Sequence, residues 1–221
     1  MALQCRADLK NLSNWSKPCG TCNICQPTSA LIYPFARDLT NSQMLVNELK
    51  KFISEATGLK CIDTDIHQNP DILVLDENDK LIARVEAKYL EGKAFMKVGQ
   101  MIKDPLYPKE ALVVDEPKLK HYFECKARDL EAYKRNIPIF VVWKYDRPCA
   151  DVGGICIYQE VDTLRRIYEE KGASRAFTRK TGQGDYVDGR RLGVIDKFHY
   201  SITECNPIES LPDLISLYQH F

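Results

Sequence analysis

The sequence predicts an α/β fold whose helices and strands follow the order αβββαβ. Three observations predict it. Two apolar runs, Asn69-Pro70-Asp71-Ile72-Leu73-Val74-Leu75 and Leu81-Ile82-Ala83-Arg84-Val85-Glu86-Ala87-Lys88, flank a polar Asp76-Glu77-Asn78-Asp79 turn and read as a hairpin. An amphipathic helix precedes that hairpin. A second helix follows it and feeds a strongly apolar strand. At 221 residues the chain is long enough for one ample core, or for one core with a small appendage.

The first segment, residues 1–36, is marked by cysteines: Cys5, then Cys19-Gly20-Thr21-Cys22-Asn23-Ile24-Cys25. Four thiolates suit a tetrahedral Zn²⁺, and the CxxCxxC spacing lets one tight loop supply three of them. A [4Fe–4S] cluster uses the same spacing and is the rival; four unrelated cysteines are the plain alternative. The main domain is expected over residues 37–221. In it, residues 41–57 read as a helix capped by Asn41 or Ser42 and ended by Gly58. Leu45, Leu49, Phe52, Ile53 and Ala56 form its apolar stripe. Glu48 lies on the flank of the stripe, at the edge of the predicted core.

Residues 60–62 read as a strand leading to the hairpin. If Asn78-Asp79 is a two-residue loop, Glu77 pairs with Lys80, and the register runs on until Asp71 lies opposite Glu86. Directly paired residues bring their Cβ atoms within about 5 Å. Lys88, two residues past Glu86, shares its face. Two carboxylates and an ammonium therefore converge at the open end of the hairpin, as in a metal site with a charge partner. Residues 116–136 read as the second helix, with Leu119, Tyr122, Phe123, Leu130 and Tyr133 as its buried residues. The run Ile137-Pro138-Ile139-Phe140-Val141-Val142-Trp143 reads as a buried strand, with Pro138 near its first residue, where a missing ladder donor is tolerated. A strand over 154–158, a helix over 161–171, a strand over 198–202 and a helix over 208–220 complete the chain. Between them, residues 172–197 read as a basic, glycine-rich loop. Its Arg175, Arg179, Lys180, Gln183, Arg190 and Arg191 are candidates for contacting phosphates and base edges, or else form a solvated surface.

Composition excludes several classes. Lys plus Arg equals Asp plus Glu, 31 of each, so any affinity for nucleic acid must come from local clustering. No run of about 18 apolar residues exists to span a membrane, and there is no GxxxxGK[ST] phosphate loop for a nucleotide cofactor. The start of the chain carries no apolar signal segment, which suggests a cytoplasmic protein. Nine cysteines in such a chain point to metal ligands before disulfides.

Pro70-Asp71, fourteen intervening residues and Glu86-Ala87-Lys88 together resemble the PD-(D/E)xK motif of the restriction-endonuclease-like nuclease superfamily. The resemblance implies a central mixed sheet flanked by helices, built on the αβββαβ core. It implies Mg²⁺ held by Asp71, Glu86 and the Ala87 carbonyl, with Lys88 beside the attacking water. In that family the first helix often adds an acid, for which Glu48 is the candidate, Glu55 the weaker substitute and a solvated helix-edge glutamate the alternative. The implied activity is hydrolysis of double-stranded DNA by an endonuclease, with a type II restriction enzyme as first choice and a homodimer as its expected assembly. A repair, recombination or phage nuclease acting on structured or single-stranded DNA is the second reading. A zinc-containing DNA-binding module with an inactive nuclease face is the third. The N-terminal cysteines are similar to the zinc segment of RecQ-type helicases, although only 13 residues separate Cys5 from the triplet. That likeness covers about two dozen residues.

Overall fold

The hairpin forms, and the main sheet is built outward from it. The computed structural model describes residues 3–5, 8–10, 35–64, 69–91, 97–146, 151–179, 186–187, 190–191 and 195–220. Helix α1 (Phe35–Thr57) leads into β1 (Lys60–Asp63), β2 (Ile72–Leu75) and β3 (Leu81–Glu91). A helical turn, α2 (Val98–Met101), precedes β4 (Ala111–Asp115), α3 (Glu116–Tyr133) and β5 (Ile139–Asp146). Then come β6 (Cys156–Glu160), α4 (Val161–Lys171), β7 (Ala176–Arg179), β8 (Tyr186–Val187), β9 (Arg190–Arg191), β10 (Ile195–Ser201), β11 (Asn206–Pro207) and α5 (Leu211–Leu217). The αβββαβ order is present, with β4 interposed before its second helix.

Six strands form a mixed sheet in the order β1-β2-β3-β5-β6-β11. Only β3 and β5 run parallel, so their connection must cross over, and α3 makes the crossover on one face. The other face is covered by α1 and α5. There Leu45, Leu49 and Ile53 of α1 pack against Ile72, Val74, Val85, Ala87, Phe140 and Val142. Each fully buried aliphatic or aromatic side chain contributes about 1.5–3 kcal/mol, so this face alone anchors α1 firmly. On the α3 face, Leu119, Tyr122 and Phe123 pack with Val141, Trp143 and Tyr145 and with Leu112, Phe198 and Tyr200 of a second, three-stranded sheet, β4-β10-β7.

Several expectations change. Helix α1 begins before residue 41, so Asn41 and Ser42 are helical residues, and the Asn41 side chain donates to Glu91 Oε2 at 3.2 Å instead of capping. Gly58 does end the helix, at φ +74°, with its N–H on the Ser54 carbonyl. Leu130 and Tyr133 are exposed, because α3 turns its buried face through Leu119, Tyr122, Cys125 and Asp129. The stretch 172–197 is a loop only in part: β7 and the start of β10 lie within it. Leu3 joins the α1-side core, Leu9 the α3-side core, and the Gln4 carbonyl accepts from Cys156 N–H at 3.0 Å.

Candidate active site

The hairpin turn is a three-residue loop, not the two-residue loop expected. Asp76 N–H donates to the Lys80 carbonyl at 3.0 Å, and Asp79 takes a left-handed φ of 58°. The Asp76 carboxylate accepts from the N–H groups of Asn78 and Lys80, both at 2.9 Å, and so shapes the turn. A bulge then places Val74 opposite Ala83 while Leu75 lies opposite Leu81, leaving Ile82 as the extra residue. The longer loop and the bulge offset each other. Ile72 pairs with Val85, and one further step of that register puts Asp71 opposite Glu86.

Alternation along β3 decides what meets there. Val85 and Ala87 point to α1, whereas Arg84, Glu86 and Lys88 point to α3. Asp71 Oδ2 accepts the Ala87 N–H at 2.7 Å. Lys88 Nζ donates to Glu86 Oε1 at 3.3 Å, and Lys118 Nζ, from the first turn of α3, stands 3.4 Å from the same oxygen. The Glu86 side chain is 5% exposed, and its Oε2 is buried without a hydrogen-bond partner among the described residues. Beneath it lies Tyr122, fully buried; burial, and then the charge of Glu86 and its hydrogen bonding, hold that phenol far above its ordinary pKa. Burial first and Glu86 second push the Asp71 carboxyl up to about 6, against the opposing pull of the Ala87 N–H, Lys118 and Lys88.

This arrangement fits a hard divalent cation. Both lysines sit on Glu86 Oε1, so the buried Oε2 and the Asp71 carboxylate, whose ionisation is resisted, keep acceptor capacity that a cation between them would use. The donors are all oxygen, as Mg²⁺ requires, and Mg²⁺ is commonly held by one or two carboxylates with its other positions left to water and substrate. The Ala87 carbonyl suits the same set. Arg84 N–H bonds toward β5, so the backbone groups of Ala87 face the β2 side, where Asp71 sits. Among the described residues no group of three or more His, Cys, Asp or Glu side chains is placed to hold a metal, so Asp71 and Glu86 would form an open pair and not a closed cage.

Glu48 is elsewhere. It accepts from Lys144 Nζ at 2.5 Å, on the sheet face covered by α1, while Glu86 and Lys88 face α3. Cys5 packs against the α3-side core with its N–H on Glu209 Oε1, and Cys19, Cys22 and Cys25 lie outside the described residues. Arg175 does not face solvent. It is 6% exposed, held by Asp104 at 2.7 Å and by Glu204 at 3.2 Å, so the structure uses its charge internally. The backbones of Arg179, Arg190 and Arg191 fall in β7 and β9; Lys180 and Gln183 lie outside the described residues. Sequence reasoning missed Lys118. Its i,i+4 spacing to the predicted core residue Tyr122 was the available signal.

No family model and no curated protein matches the sequence. Among solved structures the chain is similar to Hjc, a Holliday junction resolvase from Archaeoglobus fulgidus, at 11% identity and a TM-score of 0.39, over 78% of this chain and 96% of that one. It is also similar to D212, a nuclease from a fusselovirus, at 6% identity and a TM-score of 0.45, over 87% of this chain and 98% of that one.

Proposed function

We propose that the chain is a Mg²⁺-dependent DNA endonuclease whose working groups are Asp71, Glu86 and Lys88. One observation carries the reading: a buried carboxylate with an unpartnered oxygen, Glu86, and a half-buried one, Asp71, meet a lysine at the open end of a hairpin. Asp71, Glu86 and the Ala87 carbonyl would hold the cation. When bound, Mg²⁺ supplies positive charge for a phosphate oxygen and acidity for the attacking water. Lys88, an ammonium donor fixed on β3, orients that water and stabilises the charge that develops on the phosphate. Hydrolysis forms one P–O bond to the water oxygen and breaks one to the leaving sugar oxygen.

Two substrates suit this chemistry, and their products differ. A sequence-specific enzyme of the restriction type gives discrete fragments from plasmid DNA in Mg²⁺. A recombination, repair or phage nuclease gives cuts at branch points or in single strands. Absence of cutting with Mg²⁺, Mn²⁺ or Co²⁺ on all of these substrates overturns the proposal and leaves a DNA-binding module. Asp71→Ala should abolish cleavage, and Lys88→Ala should lower it by roughly 10²–10³, the loss that follows removal of one preorganised donor. Cutting at the wild-type rate by either variant refutes the site. A structural Zn²⁺ on the N-terminal cysteines belongs to the same reading; metal analysis tests it, and a visible charge-transfer band would mean iron–sulfur instead.

A further inference from the structure

Glu86 has two cationic neighbours on one oxygen. Lys88 Nζ lies 3.3 Å and Lys118 Nζ 3.4 Å from Oε1. Both ammoniums also stand over the ring of Tyr122, 6.0 Å and 5.6 Å from its centroid, within the range of cation–π attraction. Two carboxylates and two lysines leave this cluster neutral. A divalent cation that takes the Glu86 oxygens must repel both ammoniums. Lys88 rises from the strand beside its own metal ligands. Lys118 arrives from the helix across the site, and its side chain is the more open, 32% exposed against 21%.

Resting on the proposed function, we infer that Lys118 is a second substrate-facing cation: it holds Glu86 in the metal-free site and passes to the phosphate when metal takes Glu86. Tyr122 supplies the surface along which the ammonium shifts. Lys118 and the metal therefore compete for Glu86, and this sets the role apart from a structural one. Removing the ammonium should tighten metal binding and slow cleavage at the same time.

The test is calorimetric titration of the whole chain with Ca²⁺ and with Mn²⁺, paired with single-turnover cleavage in Mg²⁺. Lys118→Gln should bind either metal about tenfold more tightly, the scale of one screened charge interaction. It should cleave about a hundredfold more slowly, the loss expected for one donor to developing charge. Lys118→Arg, which keeps the charge, should stay close to the wild type in both. Lys118→Met is the second neutral variant, should Lys118→Gln not fold. Metal affinity that is unchanged or weaker in the neutral variant overturns the inference, and so does tightened binding with an unchanged cleavage rate. A wild type that neither binds divalent metal nor cuts DNA fails the proposed function itself. A wild type that does both while Lys118→Gln matches it fails only the role of Lys118.

Discussion

Asp71 occupies surroundings that resist its charge, and this has consequences for both stability and activity. Its carboxyl is pushed from an ordinary 3.8 to about 6, chiefly by burial and then by Glu86. The folded state therefore holds a proton that the unfolded chain has already lost between pH 4 and pH 6. Stability falls as pH rises through that window and stays low above it. A shift of this size corresponds to about 2–3 kcal/mol. In a chelator at pH 8, Asp71→Asn should thus unfold at higher urea than the wild type, with the difference shrinking toward pH 4. An asparagine variant no more stable than the wild type at pH 8 would remove the argument. Activity should have the opposite slope. In the proposed site metal and proton would compete for the same carboxylate, so cleavage at limiting Mg²⁺ should rise with pH through about 6, and its midpoint should move down as Mg²⁺ is raised. A pH–rate profile at two Mg²⁺ concentrations checks this, and a midpoint indifferent to metal would refute it.

The elements that deliver these groups differ in how far the sequence reveals them. The hairpin is local, and its register at Asp71 and Glu86 matched expectation even though the loop had one residue more and the bulge was unforeseen. Facing is harder. The angle of Glu48 on its helix places it at the edge of a stripe, but which sheet face α1 would cover depends on contacts distant in sequence. Arg175 reads as one more basic residue in a glycine-rich stretch because its acids, Asp104 and Glu204, lie 71 and 29 positions away. The partner of Lys118 is equally remote. Beside its apolar packing, α3 is tied to the hairpin by the pair Arg84–Asp129, two bonds of 2.7 and 2.8 Å between side chains under a tenth exposed. Asp129→Ala should cost about 3–5 kcal/mol by stranding the guanidinium, measured by denaturant unfolding. The pair of changes Arg84→Met with Asp129→Leu should recover much of that loss. A single variant that unfolds like the wild type would show that packing alone positions the helix.

At the scale of the molecule, the order of elements was legible because each helix and strand carries its own period. The second sheet was not, because β4, β7 and β10 are joined across gaps that no local pattern encodes. Net charge is zero, so the proposed binding to DNA would gain little from long-range attraction and would depend on what gathers at the site. Assembly follows from the number of sites. The described residues contain one set of Asp71, Glu86 and Lys88, and in the proposed reaction one such set would hydrolyse one strand at a time. A blunt or staggered double-strand break in a single encounter therefore needs two chains related by a twofold axis, matching a palindromic target. If the restriction form of the proposal holds, sedimentation in Ca²⁺ with a cognate duplex should give a protein mass of two 25.4 kDa chains. Supercoiled plasmid should then pass to linear product with little open circle accumulating. A single chain on the duplex, with open circles building up before linear DNA, would rule out the paired-site form and leave an enzyme that acts on one strand at a time.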